Sequence, residues 1–151
     1  AYADSIRDPG NLGTIIRTAH AAGVSGLLLS PDSADPWSPK TVRSTMGACF
    51  KLPLLPCDSQ EQAYETARDL GCRVLVAAAE GRDIRQCGEL LEQTHLWVLG
   101  SEAEGASPFW RERADGLVRL PMAADAESLN VASAAAVLFY QSLFHREAAE
   151  K

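Results

Sequence analysis

The sequence predicts an α/β fold with a mainly parallel sheet flanked by helices. Short apolar segments alternate along the chain with segments of helical periodicity, which is the order that the β-α units of a parallel sheet produce. The 151 residues suit one domain with a sizeable core, and the sequence contains no internal repeat, low-complexity tract or linker. We therefore expect a single domain that spans residues 1–151.

The first predicted element is a helix near the start of the chain. Five apolar or small residues recur at the spacing of one helical face: Leu12, Ile15, Ile16, Ala19 and Gly23. The residues from Asp8 to Asn11 are expected to form a turn before this helix. At about 100° per residue, Arg17 points about 160° away from the apolar face, so its guanidinium is either solvated or directed at an anion or a partner.

The remaining elements follow from apolar runs and helix caps. Strands are predicted at 26–30, 52–56, 73–79, 96–100 and 116–122. Helices are predicted at 38–47, 59–71, 107–114 and from 128 to about 146, with one short helix inside the polar segment 80–95. Ser38 and Ser59 are the expected N-caps of the first two helices, and Gly71 ends the second. The last helix is apolar nearly all round, which indicates burial or an interface.

Composition narrows the class of protein. The net charge of −6 argues against a stand-alone nucleic-acid binder, but it allows a catalytic domain that acts on RNA. No apolar run reaches the ~18 residues of a membrane helix, and the N-terminal residues lack the apolar core of a signal peptide. The four cysteines lack metal-site spacing. We expect a cytoplasmic protein with free thiols, no membrane partner and no metal.

The three tryptophans do not form a stacking row in the sequence. Trp97 lies in the apolar run at 96–100 and is expected in the core. Trp37 and Trp110 lie in less regular segments. For both, packing is favoured over contact with RNA or a partner subunit, because buried aromatic rings contribute strongly to cores.

Two loops that follow predicted strands are candidate ligand sites. They read "LGSEAEGAS" at 99–107 and "LPMAADAESLNVASAA" at 120–135, and ligands of open α/β sheets bind beyond the carboxyl ends of strands. Taken alone, both signals are weak. The first loop is neither a GxGxxG nor a P-loop motif and fits a solvated turn that exposes Glu102 and Glu104. Ser128 or Asn130 in the second loop equally fits the cap of the last helix.

Three segments, taken together, carry a family resemblance. "NLGTIIRTA" at 11–19, "LGSEAEG" at 99–105 and "LPM…SLNVASA" at 120–134 resemble the three motifs of the SpoU/TrmH family of RNA ribose 2′-O-methyltransferases, in the family's order and at its spacing. The stretch "SPKTVRSTMGACFKLP" at 38–53 resembles the family's segment between motifs one and two. The resemblance covers essentially the whole chain.

The resemblance implies a fold, a cofactor and partners. Family members thread the C-terminal part of the domain into a trefoil knot, bind S-adenosylmethionine in the knot loops, and form homodimers that pack motif one and the last helix at the interface. The implied substrate is RNA, with ribosomal RNA favoured over tRNA. We expect the N-terminal RNA-binding domain that many members carry to be absent from this chain.

Site residues are carried over by position. The resemblance places the cofactor against eight residues: Leu99, Gly100, Ser101, Leu120, Pro121, Met122, Leu129 and Ala132. It places five residues at the catalytic centre: Arg17, Asn11, Glu102, Ser128 and Asn130. Glycine at 100 would let the backbone come close to the adenine.

Arg17 matches the family's catalytic arginine. An arginine side chain resists deprotonation, so we expect Arg17 to bind an RNA phosphate and stabilise developing negative charge, while a phosphate oxygen or a neighbouring group accepts the proton. Glu102 is expected to orient a motif-one residue, Asn11 or Arg17, by a hydrogen bond.

The sequence departs from the family pattern in the second motif. Ala103 replaces a glycine, and alanine would be strained by about 1 kcal/mol or more if that position needs a positive φ. His20 also stands where an acidic residue is common, and no catalytic consequence is expected.

Two alternative functions differ in class from a methyltransferase. One is a knotted domain that binds RNA or a partner without catalysis, which the presence of all five catalytic matches disfavours. The other is an ordinary Rossmann-type nucleotide binder, which the missing GxGxxG motif disfavours.

Overall fold

The computed structural model describes residues 1–126 and 128–149 and contains one parallel sheet. Its strands lie in the order β3-β2-β1-β5-β4-β6, and every neighbouring pair is parallel. The strands are β1 Tyr2–Ala3, β2 Leu27–Leu29, β3 Leu54–Pro56, β4 Arg73–Asp83, β5 His95–Leu99 and β6 Gly116–Arg119. The predicted α/β class and parallel sheet are confirmed.

Six α-helices connect or follow the strands in the part of the chain that the structure describes. They are α1 Pro9–Ala21, α2 Pro39–Thr45, α3 Gln60–Asp69, α4 Gly88–Leu91, α5 Pro108–Arg113 and α6 Val131–Ala149. Short 3₁₀ turns span Ala48–Phe50 and Ile84–Gln86. Among the residues that the structure describes, no helix is both long and apolar enough to cross a membrane.

Alternate strand residues face two separate cores, as the pleat of a sheet requires. Ala3, Leu75 and Leu99 face a core that contains the apolar side of α1 and α6. Tyr2 and Val98 face a second core closed by α3 and α5. Helices therefore cover both faces of the sheet.

The first strand was not predicted. β1 has only two residues, yet it lies in the middle of the sheet, where Tyr2 pairs with Leu28 on one side and Val98 on the other. Two residues carry no readable periodicity, and only the flanking strands define them as a strand.

The start of α1 corrects the sequence prediction. The helix begins at Pro9 rather than Leu12, because the Asp8 carboxylate accepts a hydrogen bond from the Asn11 backbone N–H at 2.7 Å and caps the helix. The expected turn is therefore the first turn of the helix. Gly23 lies beyond the helix with φ +67° and is exposed, so it does not belong to the buried face.

Other boundaries shift as well, and β6 ends at Arg119 rather than at residue 122. β4 runs to Asp83 and not to residue 79, because its second half pairs with β6 after a register shift, with Gly81 tight against the β6 backbone. The segment 80–95 thus begins as a strand before its short helix. α6 begins at Val131 and not at Ser128, since residues 128–130 remain irregular.

The predicted caps of α2 and α3 are confirmed. Ser38 and Ser59 each accept a hydrogen bond from the backbone N–H three residues later, and Gly71 follows α3 with φ +69°. Trp97 and Trp110 are buried as expected. Trp37 is not: its side chain is 53% exposed. All four cysteines are free thiols.

Candidate active site

A hydrogen-bond network joins three distant segments at the carboxyl edge of the sheet. The Asn130 side-chain amide donates to Asn11 Oδ1 at 3.0 Å and to Glu102 Oε1 at 2.6 Å. Asn11 lies in the first turn of α1, Glu102 in the loop after β5, and Asn130 just before α6. The fold therefore brings three of the five predicted catalytic residues into direct contact.

Asn130 also caps α6. Its Oδ1 accepts hydrogen bonds from the backbone N–H groups of Ala132 at 2.9 Å and Ser133 at 3.3 Å. Glu102 Oε1 accepts a further one from Val131 N–H at 3.2 Å. The helix-cap interpretation of Asn130 is confirmed, and the same side chain contacts two other predicted site residues, Asn11 and Glu102.

The expected partner of Glu102 was wrong. Glu102 bonds neither Asn11 nor Arg17 but Asn130 and Val131, and Asn130 then links it to Asn11. A carboxylate is stabilised beside the free N–H groups and positive dipole end of a helix N-terminus, which explains why it binds at the start of α6.

Arg17 and Ser128 lie outside this network. Arg17 is exposed on α1, on the side opposite the fully buried Leu12 and Ile15, which agrees with the predicted direction. Within the part of the chain that the structure describes, its guanidinium has no hydrogen bond or ion pair. Ser128 is exposed, and among the described residues the Asn130 amide donates its hydrogen bonds to Asn11 and Glu102.

The loop after β5 is a tight turn built on two glycines. Gly105 N–H donates to Ser101 O at 2.8 Å, and Gly105 adopts φ +70°. A Cβ at Gly100 would collide with the backbone of Gly105 and Ala106, so the chain itself requires this glycine. Ala103 does not have a positive φ, and the strain expected there is absent.

The other predicted cofactor residues divide into buried and exposed groups. Leu99 and Ala132 are buried in the hydrophobic core, at the end of β5 and in the first turn of α6. The residues from Leu120 to Met122 extend past the end of β6 without regular structure, and Met122 and Leu129 are exposed apolar side chains. Apolar side chains beside irregular backbone fit a purine ring, because they cover its faces while backbone groups bond its edge.

A cavity of about 210 Å³ adjoins the network. It is lined by Ser5, Ile6, Arg7, Asp8, Asn11, Ser101, Glu102, Ala103, Glu104 and Val131. Its volume equals that of about seven water molecules, which leaves room for a group the size of a sugar ring. A larger cleft of about 550 Å³ lies near the amino ends of the strands and contains none of the predicted site residues.

One wall of this cavity is a strained turn that the sequence did not reveal. Ser5 adopts φ +60°, which is uncommon for a residue other than glycine. Its hydroxyl donates to Asp32 Oδ2 at 2.6 Å, and Ser30 donates to the other carboxylate oxygen at 2.7 Å. These bonds lower the pKa of Asp32. Because Ser5 and Asp32 are far apart in sequence, no local pattern predicts their contact.

Asp4 anchors the far end of the loop after β5. Its buried carboxylate accepts a hydrogen bond from Ser107 N–H at 2.7 Å, at the start of α5. Burial raises the pKa of Asp4, against the effect of that bond. In residues 1–126 and 128–149, no group of three or more acidic, histidine or cysteine side chains is placed to hold a metal ion.

Comparison with known proteins places this geometry in one family. The model of the SpoU rRNA methylase family matches residues 1–140. Two relatives are each 37% identical: a 23S rRNA (uridine(2479)-2′-O)-methyltransferase of Streptomyces viridochromogenes, over 95% of this chain, and the 23S rRNA (guanosine(2553)-2′-O)-methyltransferase RlmP of Bacillus subtilis, over 91%. This chain spans 51% and 54% of their lengths.

The fold is also similar to a solved structure. The SpoU methyltransferase AviRb from Streptomyces viridochromogenes, in complex with AdoMet, superposes with a TM-score of 0.89 at 33% sequence identity. The match covers 97% of this chain and 60% of that protein.

Proposed function

The chain belongs to the SpoU rRNA methylase family, and we propose that it transfers a methyl group from S-adenosylmethionine to a ribose 2′-hydroxyl of ribosomal RNA. The observation that carries this proposal is the contact of Asn11, Glu102 and Asn130, because it assembles all three family motifs at one edge of the sheet. Residues 1–151 would act as one methyltransferase domain. Both named relatives are 23S rRNA 2′-O-methyltransferases, one for a uridine and the other for a guanosine, so the proposal extends to the class of RNA and to the ribose 2′-hydroxyl.

The cofactor would lie against the loops after β5 and β6 and the start of α6. When bound, S-adenosylmethionine supplies an electrophilic methyl group on a sulfonium. Met122 and Leu129 would cover the adenine, and the backbone of Gly100 and Leu120 would bond its edge. The C-terminal trefoil knot that the family resemblance implies belongs to the same proposal.

The polar residues would hold the reacting sugar. The cavity beside Asn11 and Glu102 would take the target ribose, with the Asn130 amide fixing both side chains. The guanidinium of Arg17 would bind an RNA phosphate and stabilise charge on the attacking oxygen, and a phosphate oxygen of the RNA or a neighbouring group would take the hydroxyl proton. Ser128 would line the same centre.

A homodimer would complete the assembly. Val137, Tyr140 and Phe144 are exposed on one side of α6, at a spacing that forms a continuous apolar stripe. α1 packs beside α6, so a second copy seated on this stripe would lie next to Arg17. A substrate in ribosomal RNA also implies a cytoplasmic protein.

Cofactor binding tests the proposal most directly. We would titrate the 151-residue chain with S-adenosylhomocysteine by calorimetry, beside a Leu129→Arg variant that places a charge against the proposed adenine site. Binding by the parent and its loss in the variant supports the cofactor site. If the parent is folded but does not bind S-adenosylhomocysteine, the result contradicts the proposed methyltransferase activity and favours the non-catalytic RNA-binding alternative.

Methyl transfer to a ribosomal RNA transcript tests the role of Arg17. Lysine keeps the charge but not the planar fork of donors, so Arg17→Lys should lower kcat at least tenfold while S-adenosylhomocysteine binding is unchanged. Arg113→Lys on α5 is the matched control. A near-full rate in Arg17→Lys would contradict the need for guanidinium geometry.

A further inference from the structure

Two aromatic side chains lie exposed together next to α2. Trp37 is 53% exposed and Phe50 is 75% exposed, and their ring centroids are 6.1 Å apart. Met46, which follows α2, is also 75% exposed. Large apolar side chains grouped in water indicate an interaction surface, because their exposure forgoes the free energy of burial. We refer to Trp37 and Phe50 as the aromatic patch.

The backbone around the aromatic patch is fixed. The Asp35 carboxylate accepts a hydrogen bond from Trp37 N–H at 2.9 Å, immediately before the Ser38 cap of α2. The positive φ angles of Met46 (+50°) and Gly47 (+87°) turn the chain back after α2. The following 3₁₀ turn then places Phe50 beside Trp37. The two rings are therefore held by turns rather than by a flexible loop.

The surroundings of the aromatic patch are positively charged. Residues 36–57 contain Lys40, Arg43 and Lys51 and no aspartate or glutamate, although the whole chain has 20 acidic and 14 basic residues. Lys40 lies 3.8 Å from Asp8, whereas Arg43 and Lys51 form no ion pair among the described residues. This basic segment stands out in an acidic protein and is suited to a polyanion.

The helix next to the aromatic patch, α2, packs against the helix that carries part of the candidate active site. α2 packs on α1 so closely that a Cβ at Gly13 would lie 2.8 Å from Thr41 O. α1 carries Asn11 and Arg17, and Asp8, the ion-pair partner of Lys40, lines the cavity of about 210 Å³. A strand of RNA with one nucleotide in that cavity can therefore continue across α2.

We propose that Trp37 and Phe50 form a stacking platform for an unpaired nucleobase of the RNA substrate, with Lys40, Arg43 and Lys51 binding the adjoining phosphates. This inference rests on the proposed function and extends its RNA-binding surface. Exposed aromatic rings flanked by cations are the chemistry that binds single-stranded RNA, since every base has a face that stacks. A second copy of this chain is a less suitable partner for the aromatic patch, because a twofold contact there would bring the basic residues of both copies together and they would repel each other.

Binding of a fluorescein-labelled, mixed-sequence single-stranded RNA, followed by fluorescence anisotropy at fixed salt, tests the platform. Trp37→Ala and Phe50→Ala should each weaken binding about tenfold, and Trp37→Phe should retain most of it. Lys51→Gln should reduce the slope of log K against log salt by about 0.7. Leu70→Ala, an exposed apolar change at the end of α3, is the matched control and should have no effect.

Two parallel measurements separate the outcomes. Calorimetry with S-adenosylhomocysteine shows that each variant is folded, and sedimentation velocity gives its oligomeric state. Unchanged RNA affinity in both alanine variants overturns the platform, as does loss of RNA binding together with loss of a dimer. A parent that binds S-adenosylhomocysteine but not the RNA overturns the platform and leaves the proposed cofactor site in place. A parent that binds neither overturns both.

Discussion

At the scale of single residues, the Asn130 side chain serves two parts of the molecule at once. Its carbonyl oxygen accepts from the first N–H groups of α6, and its NH₂ group donates to Asn11 and Glu102. Only a side-chain amide offers both an acceptor and two donors in this shape. The start of the last helix and the candidate site are therefore fixed by the same group.

Asn130→Asp separates these two functions. The carboxylate can still cap α6, but it meets Glu102 without a donor, and like charges so close disfavour each other. We expect the variant to lose methyl transfer at neutral pH and to be less stable by about 1–3 kcal/mol in urea denaturation. Ser133→Asp places an exposed carboxylate in the first turn of the same helix and keeps the Asn130 amide, so it should leave stability unchanged or raise it. Equal stability of Asn130→Asp and the parent would contradict the network.

Ser5 offers a second test at this scale, because its strain and its hydrogen bond can be removed separately. Ser5→Ala loses the bond to Asp32 and keeps an unfavourable positive φ, whereas Ser5→Gly loses the bond and relieves the strain. We expect Ser5→Ala to be less stable than Ser5→Gly by about 1 kcal/mol in urea denaturation. The reverse order would show that the left-handed turn is not maintained in solution.

Among site residues, the sequence identified those that belong to motifs and missed those that depend on tertiary contact. Asn11, Glu102 and Asn130 were named from the family resemblance, and the structure joins them. The contact between Ser5 and Asp32 was not predicted, because the two residues lie in separate loops that come together only when β1 pairs with β2.

At the scale of elements, local signals set some boundaries and tertiary pairing sets others. α3 was predicted closely because Ser59 and Gly71 are signals within the helix's own sequence. β1 and the second half of β4 were not, because β1 is a strand only through its neighbours and β4 extends only by pairing with β6. Neither contact can be inferred from a short window of sequence.

Asp83, at the end of β4, forms an ion pair with β6, and this contact predicts how the stability of the protein depends on pH. Arg85 donates two side-chain hydrogen bonds to the buried Asp83 carboxylate, and Arg119 of β6 lies 3.4 Å from it. The bonds from Arg85 lower the pKa of Asp83 to about 2. This folded-state pKa lies below the unfolded value of about 3.9, so the stabilisation is complete above pH ~4 and is lost as the pH falls toward 2.

Asp83→Asn should therefore be less stable than the parent at neutral pH and should lose less stability on acidification. Urea midpoints measured at several pH values between about 2 and 6 check this expectation. Asp69→Asn, an exposed change at the end of α3, serves as the control and should follow the parent. If the urea midpoints of Asp83→Asn and the parent fell in parallel on acidification, the Asp83 carboxylate would not stabilise the end of β4.

At the scale of the whole molecule, two exposed surfaces flank α1. The aromatic patch lies on the α2 side within a basic segment, and the stripe of Val137, Tyr140 and Phe144 lies on α6. Arg17 is exposed on α1 between the two helices that carry them. This arrangement suits one surface to RNA and the other to a second copy, with the helix that carries Arg17 packed against both α2 and α6.

Self-association through α6 gives the prediction for the assembly. Tyr140 and Phe144 lie with ring centroids 5.7 Å apart on the exposed side of the helix, so Phe144→Asp places a charge in the proposed interface and not in the core. We expect a dimeric parent and a monomeric Phe144→Asp variant in sedimentation velocity. Thermal stability at low concentration should be little changed. Leu70→Asp, which also introduces a charge at an exposed apolar residue but lies directly after α3, should remain dimeric. If Arg17 acts across the interface, the monomer should also lose methyl transfer while it still binds S-adenosylhomocysteine, because the cofactor loops belong to one chain. A monomeric parent, or a Phe144→Asp variant that remains dimeric, would contradict this interface.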